Sequence, residues 1–587
     1  MNTFIASILL IICAILLLQE VDAKTKINIA KERPSNKKYE IEMIRIARAF
    51  QQMGLDKMKD NPGGGSKCIS CVIVIRMIER LAAAHDESVK SILDKICDLF
   101  PSPTKDQCHK FVPTVAWIIQ LLLSEGAPPD SVCKSIHLCT GECVLFKNEF
   151  AKHEAMVGAK TPEEAKSSSS KFAMAIKKEI SLQFSSWWDD IVKTISDHKP
   201  IFDTDSDYFS TVFGLRGYAW RGKDCDDSSD NVYPGRKTPS GDATSDYNCN
   251  GIHGKDPESG KPWKEVLCKG TDQKGVIVLG DSLAAHFRIP QQWVLPNVTM
   301  ADFSHIVSIL ENELDWPHLS MYTGYTNDTT GLTPSKTQSI YSQLLARNLC
   351  NRNDFQNIGV NGARTGAMAS KISKTINRDP ENDHPAIVFH ALVGNDVCSP
   401  HIGRYTPRED FIKNVEETFS YLDTKLPQNS TVIAIGLAQG GFLYDIMSNL
   451  THPLGVPYKN VYDFLTCLEM NPCSGWLSNN ATLRAETSAH AEMLSATYDE
   501  IIAKNNYKNF NVLYYKFPLT KEFIEEFVQQ FHLPPSVLIE PMDSFHASQL
   551  GQEVLGLKLF QMISEDHPDL FGPINPNNDK IRQLFGN

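Results

Sequence analysis

Apolar positions change period along this chain. From Cys68 to about Ser124 they recur at helical spacing: Ile69, Val72, Ile73, Ile75 and Ile78 make one broad face, and Phe111–Leu123 supplies another. Beyond residue 270 the pattern becomes short apolar runs, at 275–279, 355–358, 386–393, 431–437 and 511–515, separated by long helix-compatible stretches. Runs of that length read as buried strands. Their alternation with helices predicts a parallel sheet with crossover helices. The expected fold is therefore multidomain, a small all-α module ahead of an α/β domain. Between them, residues 201–255 follow neither period and are dense in Asp and Asn.

The ends and joints are polar or punctuated. Residues 4–18 are almost unbroken apolar sequence followed by Val21-Asp-Ala23, which suits a leader of residues 1–23, although no Lys or Arg precedes it. A membrane anchor needs about 20 apolar residues, so the run is too short. A secreted or lysosomal location follows. Fifteen cysteines, less Cys13 in the leader, leave an even fourteen, which fits an oxidising compartment. Asn297, Asn327, Asn429, Asn449 and Asn480 are sequons that such a compartment would allow to be glycosylated. Residues 24–63 read as a charged pro-segment and linker, and 146–200 as a second linker containing the protease-accessible stretch Ala159–Lys171. A net charge of −12 argues against nonspecific nucleic-acid binding.

Chemistry concentrates at strand ends. The run 275–279 stops at Gly280-Asp281-Ser282-Leu283, placing Ser282 where open α/β sheets form their ligand crevice. Alone, that string also suits a strand-to-helix turn capped by Asp281 or Ser282. Three later segments add to it: Asn357–Thr365 with Gly362, Gly394-Asn395-Asp396 after the third run, and Asp543-Ser-Phe-His546 before a helical segment. A serine nucleophile needs a base, an orienting acid and fixed oxyanion donors, and these residue types supply them. The four landmarks in this order resemble the GDSL, or SGNH, hydrolases over roughly residues 270–578. The resemblance implies Ser282 as nucleophile, His546 as base and Asp543 as its orienting partner. It also implies an oxyanion hole of the Ser282 and Gly362 N–H groups and the Asn395 amide. His286 either lines the pocket or is packing, and His390 reads as a hydrogen-bonded core residue.

Cys68, Cys71, Cys97, Cys108, Cys133 and Cys139 punctuate the helical segment. Zinc or thiol-redox readings of Cys68-x-x-Cys71 lack partners at suitable spacing. The six-cysteine pattern resembles the saposin B-type lipid-binding domain over residues 64–145. That resemblance implies disulfides Cys68–Cys139, Cys71–Cys133 and Cys97–Cys108. A saposin-like module joined to an SGNH hydrolase is similar to the acyloxyacyl hydrolase family. Such a likeness implies removal of secondary fatty acyl chains from lipid A of lipopolysaccharide, with the helical module contacting a membrane or micelle surface. It also implies processing into two disulfide-linked subunits, for which Cys143 is free and Cys473 is the expected partner. A secreted phospholipase or lipase acting on other lipids is the alternative, since triad and lipid module do not fix the head group.

The acidic segment carries Asp203, Asp205, Asp207, Asp224, Asp226, Asp227, Asp230, Asp242, Asp246, Asn248 and Asn250. Alternating carboxylates and amides suit calcium, a hard cation taking six to eight oxygens. It is not a full EF-hand, because Tyr208 holds the usual glycine position and no Glu closes the loop. The expectation is a structural calcium-binding connector with a local Cys225–Cys249 disulfide, against the alternative of a solvated acidic loop. Residues 290–345 read as an insertion whose Trp293, Trp316, Tyr322 and Tyr325 either line an acyl-chain groove or fill a small core.

Overall fold

The computed structural model describes residues 65–157, 186–327 and 336–586, apart from 86, 103, 125, 136, 137, 239 and 505, with some side chains of 107–121 and 186–189 also excepted. The leader, the pro-segment and the Ala159–Lys171 stretch lie outside the described residues, as do most side chains of Phe111–Leu123. The chain divides into two compact units. Among the described residues no helix is long and apolar enough to cross a membrane.

The first unit holds helices α1 (Gly65–His85), α2 (Val89–Cys97), α3 (Thr104–Ser124) and α4 (Pro129–Ser135). Ser88 starts α2 by accepting the Ser91 N–H at 3.2 Å, and Val89, Ile92, Leu93 and Ile96 form its buried stripe. Disulfides join Cys68 to Cys139, Cys71 to Cys133 and Cys97 to Cys108, the pairs implied by the saposin resemblance. They tie helix ends in a module too small to rely on its apolar core alone.

Two excursions of the hydrolase sequence, 290–310 and 448–471, belong to this same unit. The Arg76 guanidinium donates to Leu454 O at 2.9 Å, and the His85 ring meets Val298 O at 3.2 Å. Cys143 pairs with Cys467, at the end of the helix Tyr458–Cys467. This corrects the expected Cys143–Cys473 bond. Cys473 lies beyond the excursion, in the second unit, and pairs there with Cys398.

The second unit is a five-stranded parallel sheet: β1 (Gly275–Gly280), β2 (Phe355–Gly359), β3 (Ala386–Ala391), β4 (Ser430–Ile435) and β5 (Phe510–Tyr515), in the order β2-β1-β3-β4-β5. Side chains alternate across it. Ile277 and Leu279 of β1 join one core with Phe411, Val415, Phe419 and Leu422 of the helix Arg408–Asp423, while Val276 and Val278 join another with Leu555, Leu559 and Ile563. Segment 201–255 is integral to this unit rather than a loose connector. Its Trp220–Gly222 stretch pairs with the outer edge of β2, through Gly222 N–H to Phe355 O (2.9 Å) and Asn357 N–H to Trp220 O (2.6 Å). An exposed strand edge is a template for unwanted pairing, and this stretch covers it. Cys225–Cys249 and Cys268–Cys350 close local loops here.

Peptide mapping of the unreduced protein should recover Cys143 linked to Cys467 and Cys398 linked to Cys473. A Cys143–Cys473 peptide would refute this assignment.

Candidate active site

Strand order decides where the site forms. Neighbours of β1 leave it in opposite directions along the chain, so a crevice opens between the carboxyl ends of β1 and β3. Ser282 follows β1 and Asn395 follows β3, flanking that crevice. Gly359 is required for close approach here: a Cβ on it would sit 2.7 Å from the backbone N of Ala285, in the helix Ser282–Ala285.

His546 Nε2 is 2.6 Å from Ser282 Oγ, and His546 Nδ1 is 2.6 Å from Asp543 Oδ2. The other Asp543 oxygen accepts the N–H groups of Phe545 (2.9 Å) and His546 (3.0 Å), which fixes the carboxylate beside the ring. Phe287 and Phe545 contact that ring, with centroids 5.3 and 5.0 Å away. Ser282 and His546 are buried, and both open onto a narrow cleft of about 60 Å³. Apolar side chains wall it, among them Phe442, Leu443, Trp476, Phe517, Leu519 and Leu555. Asn395 lines it too. Gly362, in the left-handed conformation (φ 76°), lines a neighbouring surface depression with Arg364 and Tyr405.

Sequence reading found the landmark residues and allowed Asp281 as a helix cap, but missed the contacts between loops that hold them. Asp281 is that cap, accepting the Leu283 N–H at 3.0 Å. Its other oxygen accepts the N–H groups of Val393 (3.0 Å) and Gly394 (3.2 Å), immediately before Asn395. Burial pushes this carboxyl up to about 6. Asp396 is buried as well and accepts from Thr365 N–H, Thr365 Oγ1 and Thr406 Oγ1, tying the β3 loop to the one after β2. Both acids stand inside quoted motifs, but their partners are distant in sequence.

The aromatics of 290–345 are core and not a groove. Trp293 stacks on Phe303, Tyr322 packs against Phe389, Trp316 is buried, and Tyr325 donates to Tyr218 O at 2.9 Å. His286 is fully buried in the left-handed conformation (φ 59°) at the end of its helix, and burial holds its pKa well below the usual value. It is absent from the cleft wall. His390 is a core residue whose Nδ1 is 3.0 Å from Tyr498 Oη.

In the acidic segment, ligand oxygens of Asp203, Asp205 and Asp227, and of Asp205, Asp207 and Asp224, lie within 4.8 Å of one another. Buried oxygens on Asp203, Asp205, Asp207 and Asp224 have no hydrogen-bond partner. Burial, reinforced by the neighbouring carboxylates, raises Asp207 to about 8 and Asp224 to about 6. The expected eleven-residue ligand set is thereby narrowed. Asp226 and Asp230 are exposed and accept from Ser228 and Asn231. Asp242 sits 3.4 Å from the Lys264 ammonium, while Asp246, Asn248 and Asn250 accept N–H groups within their own turn.

A nucleophile, base and acid at the end of a parallel sheet define a carboxylic ester hydrolase, and comparison with known proteins agrees. The family model for GDSL-like lipase/acylhydrolase matches residues 276–559, and that for the saposin-like domain matches 67–184. Acyloxyacyl hydrolase of Mus musculus is 36% identical over 548 residues, covering 90% of this chain and 94% of the relative. Acyloxyacyl hydrolase of Homo sapiens is 36% identical over 561 residues, with the same coverage. The chain belongs to the acyloxyacyl hydrolase family.

Asp281→Ala leaves three buried N–H groups without their charged acceptor, each such bond contributing about 1.5–3 kcal/mol. Turnover of a soluble ester should fall with little change in KM, alongside a lower unfolding midpoint. Lost stability with unchanged turnover would confine Asp281 to folding.

Proposed function

We propose that the protein removes secondary, acyloxyacyl-linked fatty acyl chains from lipid A of lipopolysaccharide, using Ser282, His546 and Asp543. The observation carrying this reading is the 2.6 Å Ser282–His546 contact opening onto an apolar cleft, in a chain that also bears a saposin-like module. His546 Nε2 takes the hydroxyl proton as Ser282 Oγ attacks the acyl carbonyl, and Asp543 holds the other ring N–H and stabilises the imidazolium. The oxyanion is met by the Ser282 and Gly362 N–H groups and the Asn395 amide. Removing one such donor typically costs about 10²–10³ in turnover. The imidazolium returns its proton to the leaving hydroxyl of the primary hydroxyacyl chain. Water, activated by the same histidine, then releases the fatty acid from Ser282.

The cleft is narrow, and its apolar wall suits a single acyl chain. The saposin-like helices would shelter the remaining chains as the lipid leaves its membrane or micelle. Processing within Ala159–Lys171 would leave two subunits joined by Cys143–Cys467, whose cysteines fall on either side of the cut. The disulfides and five exposed sequon asparagines suit a secreted or lysosomal protein.

Asp203, Asp205, Asp207, Asp224 and Asp227 would hold a structural calcium ion. The support is the partnerless buried oxygens of Asp203, Asp205, Asp207 and Asp224, with Asp227 close beside them, because carboxylates crowded out of water demand a counter-ion. Such an ion would brace the stretch covering β2 and take no part in the chemistry.

Ser282→Ala should abolish hydrolysis while leaving folding intact, and a fluorophosphonate should label Ser282 in the parent. On lipopolysaccharide, mass spectrometry should find non-hydroxylated acids released and primary hydroxyacyl chains retained. Release from phosphatidylcholine alone would favour the phospholipase reading. Calcium should raise the melting temperature relative to chelator, and Asp207→Asn should remove the difference. Superimposable melting curves for the parent would rule the ion out.

A further inference from the structure

Between two segments that wall the cleft, the chain makes an outward excursion. Phe517 and Leu519 line the cleft, then the helix Lys521–Phe531 follows, and Phe545–Ala547 line the cleft again. Phe531 and Leu533 are 51% and 41% exposed, and every residue from Gln529 to Pro534 is exposed. His532, in the left-handed conformation (φ 55°), ends the helix, and Pro534 and Pro535 stiffen the exit. Phe527 is buried and supports the Phe531 ring at 5.1 Å.

The base of this tip is tied to the cleft. Pro535–Leu538 packs against the helices Leu443–Met447 and Gln549–Asp566, which contribute Leu443 and Leu555 to the wall. Leu533 is two residues from Pro535, so its Cα lies within about 7 Å of that base. From Phe527 to Ile539 there is no Asp, Glu, Lys or Arg, in a chain that is 22% charged.

We infer that the Phe531–Leu533 tip is a lipid-contact element of the hydrolase unit itself, inserting into the acyl-chain layer of the lipid aggregate that presents the substrate. This rests on the acyl-hydrolase reading of the cleft. Two projecting apolar side chains fall far short of the roughly 800 Å² per partner that a stable protein interface buries, which argues against a second copy as occupant. A charge-free tip enters an apolar layer without desolvating an ion.

The test uses the full chain. In a Ser282→Ala background, Phe531→Trp fluorescence should be quenched by vesicles of brominated phosphatidylcholine beyond the quenching of the parent tryptophans. In the active protein, Phe531→Ser/Leu533→Ser should leave hydrolysis of a short soluble ester within about twofold, while hydrolysis of the same acyl group presented in phosphatidylcholine vesicles drops about tenfold or more. Absence of the extra quenching, or equal rates on both substrates, overturns the inference. So does a concentration-dependent dimer that Phe531→Ser abolishes, because the tip would then be a self-association face. An inactive parent would instead overturn the esterase reading, and the quenching measurement would still decide the tip.

Discussion

One buried carboxylate holds the reactive end of the sheet together. Asp281 spans the crevice between β1 and β3, its one oxygen on the turn that presents Ser282 and its other on the two amides that precede Asn395. Ser282 and Asn395 follow different strands, so their separation is only as fixed as the groups bridging them. A side chain long enough to span the gap more loosely would allow either loop to drift, and a shorter one would leave amides buried and unmet. Asp396 repeats the device one loop further out, joining the β3 loop to Thr365 and Thr406. The reactive groups thus sit on short loops held by buried carboxyl acceptors rather than by packing alone.

Much of this was legible because it is local. Each strand of the sheet falls within a residue or two of its expected bounds, and the central strands are continuous apolar runs because they are buried on both faces. Ser282, Asn395 and the Asp543/His546 pair could be read from short motifs at strand ends. What escaped depends on distant neighbours. Cys467 and Cys473 are six residues apart, and only the tertiary path of 448–471 assigns one to Cys143 and the other to Cys398. The aromatics of 290–345 look the same in sequence whether they face a ligand or a core. The cleft wall instead draws on Phe442, Trp476 and Phe517, scattered over later segments with no shared motif.

The acidic segment carries a similar lesson about composition. Its density of Asp and Asn suggested a self-contained ion-binding connector, yet Trp220–Gly222 lies along β2 as an added edge. Carboxylates that read as one ligand field are divided by turn geometry, since an Asp or Asn that accepts N–H groups a few residues ahead spends its oxygens locally. The oxygens left over are those of the first two loops, and there burial and mutual repulsion make the residues poor anions on their own.

The interleaving of hydrolase sequence into the saposin-bearing unit also sets an order of events on the ribosome. Domains generally fold as they emerge, N-terminal first. Here the helices of residues 65–135 emerge early, but the segments they pack against, 290–310 and 448–471, are translated much later. Cys143 must wait through more than three hundred residues of synthesis for Cys467. During that interval it is an unpaired thiol beside the six saposin cysteines, within reach of the same oxidising machinery. Prompt closure of the three nested saposin bonds removes those six from competition, so the small module's own disulfides protect the fidelity of the long one.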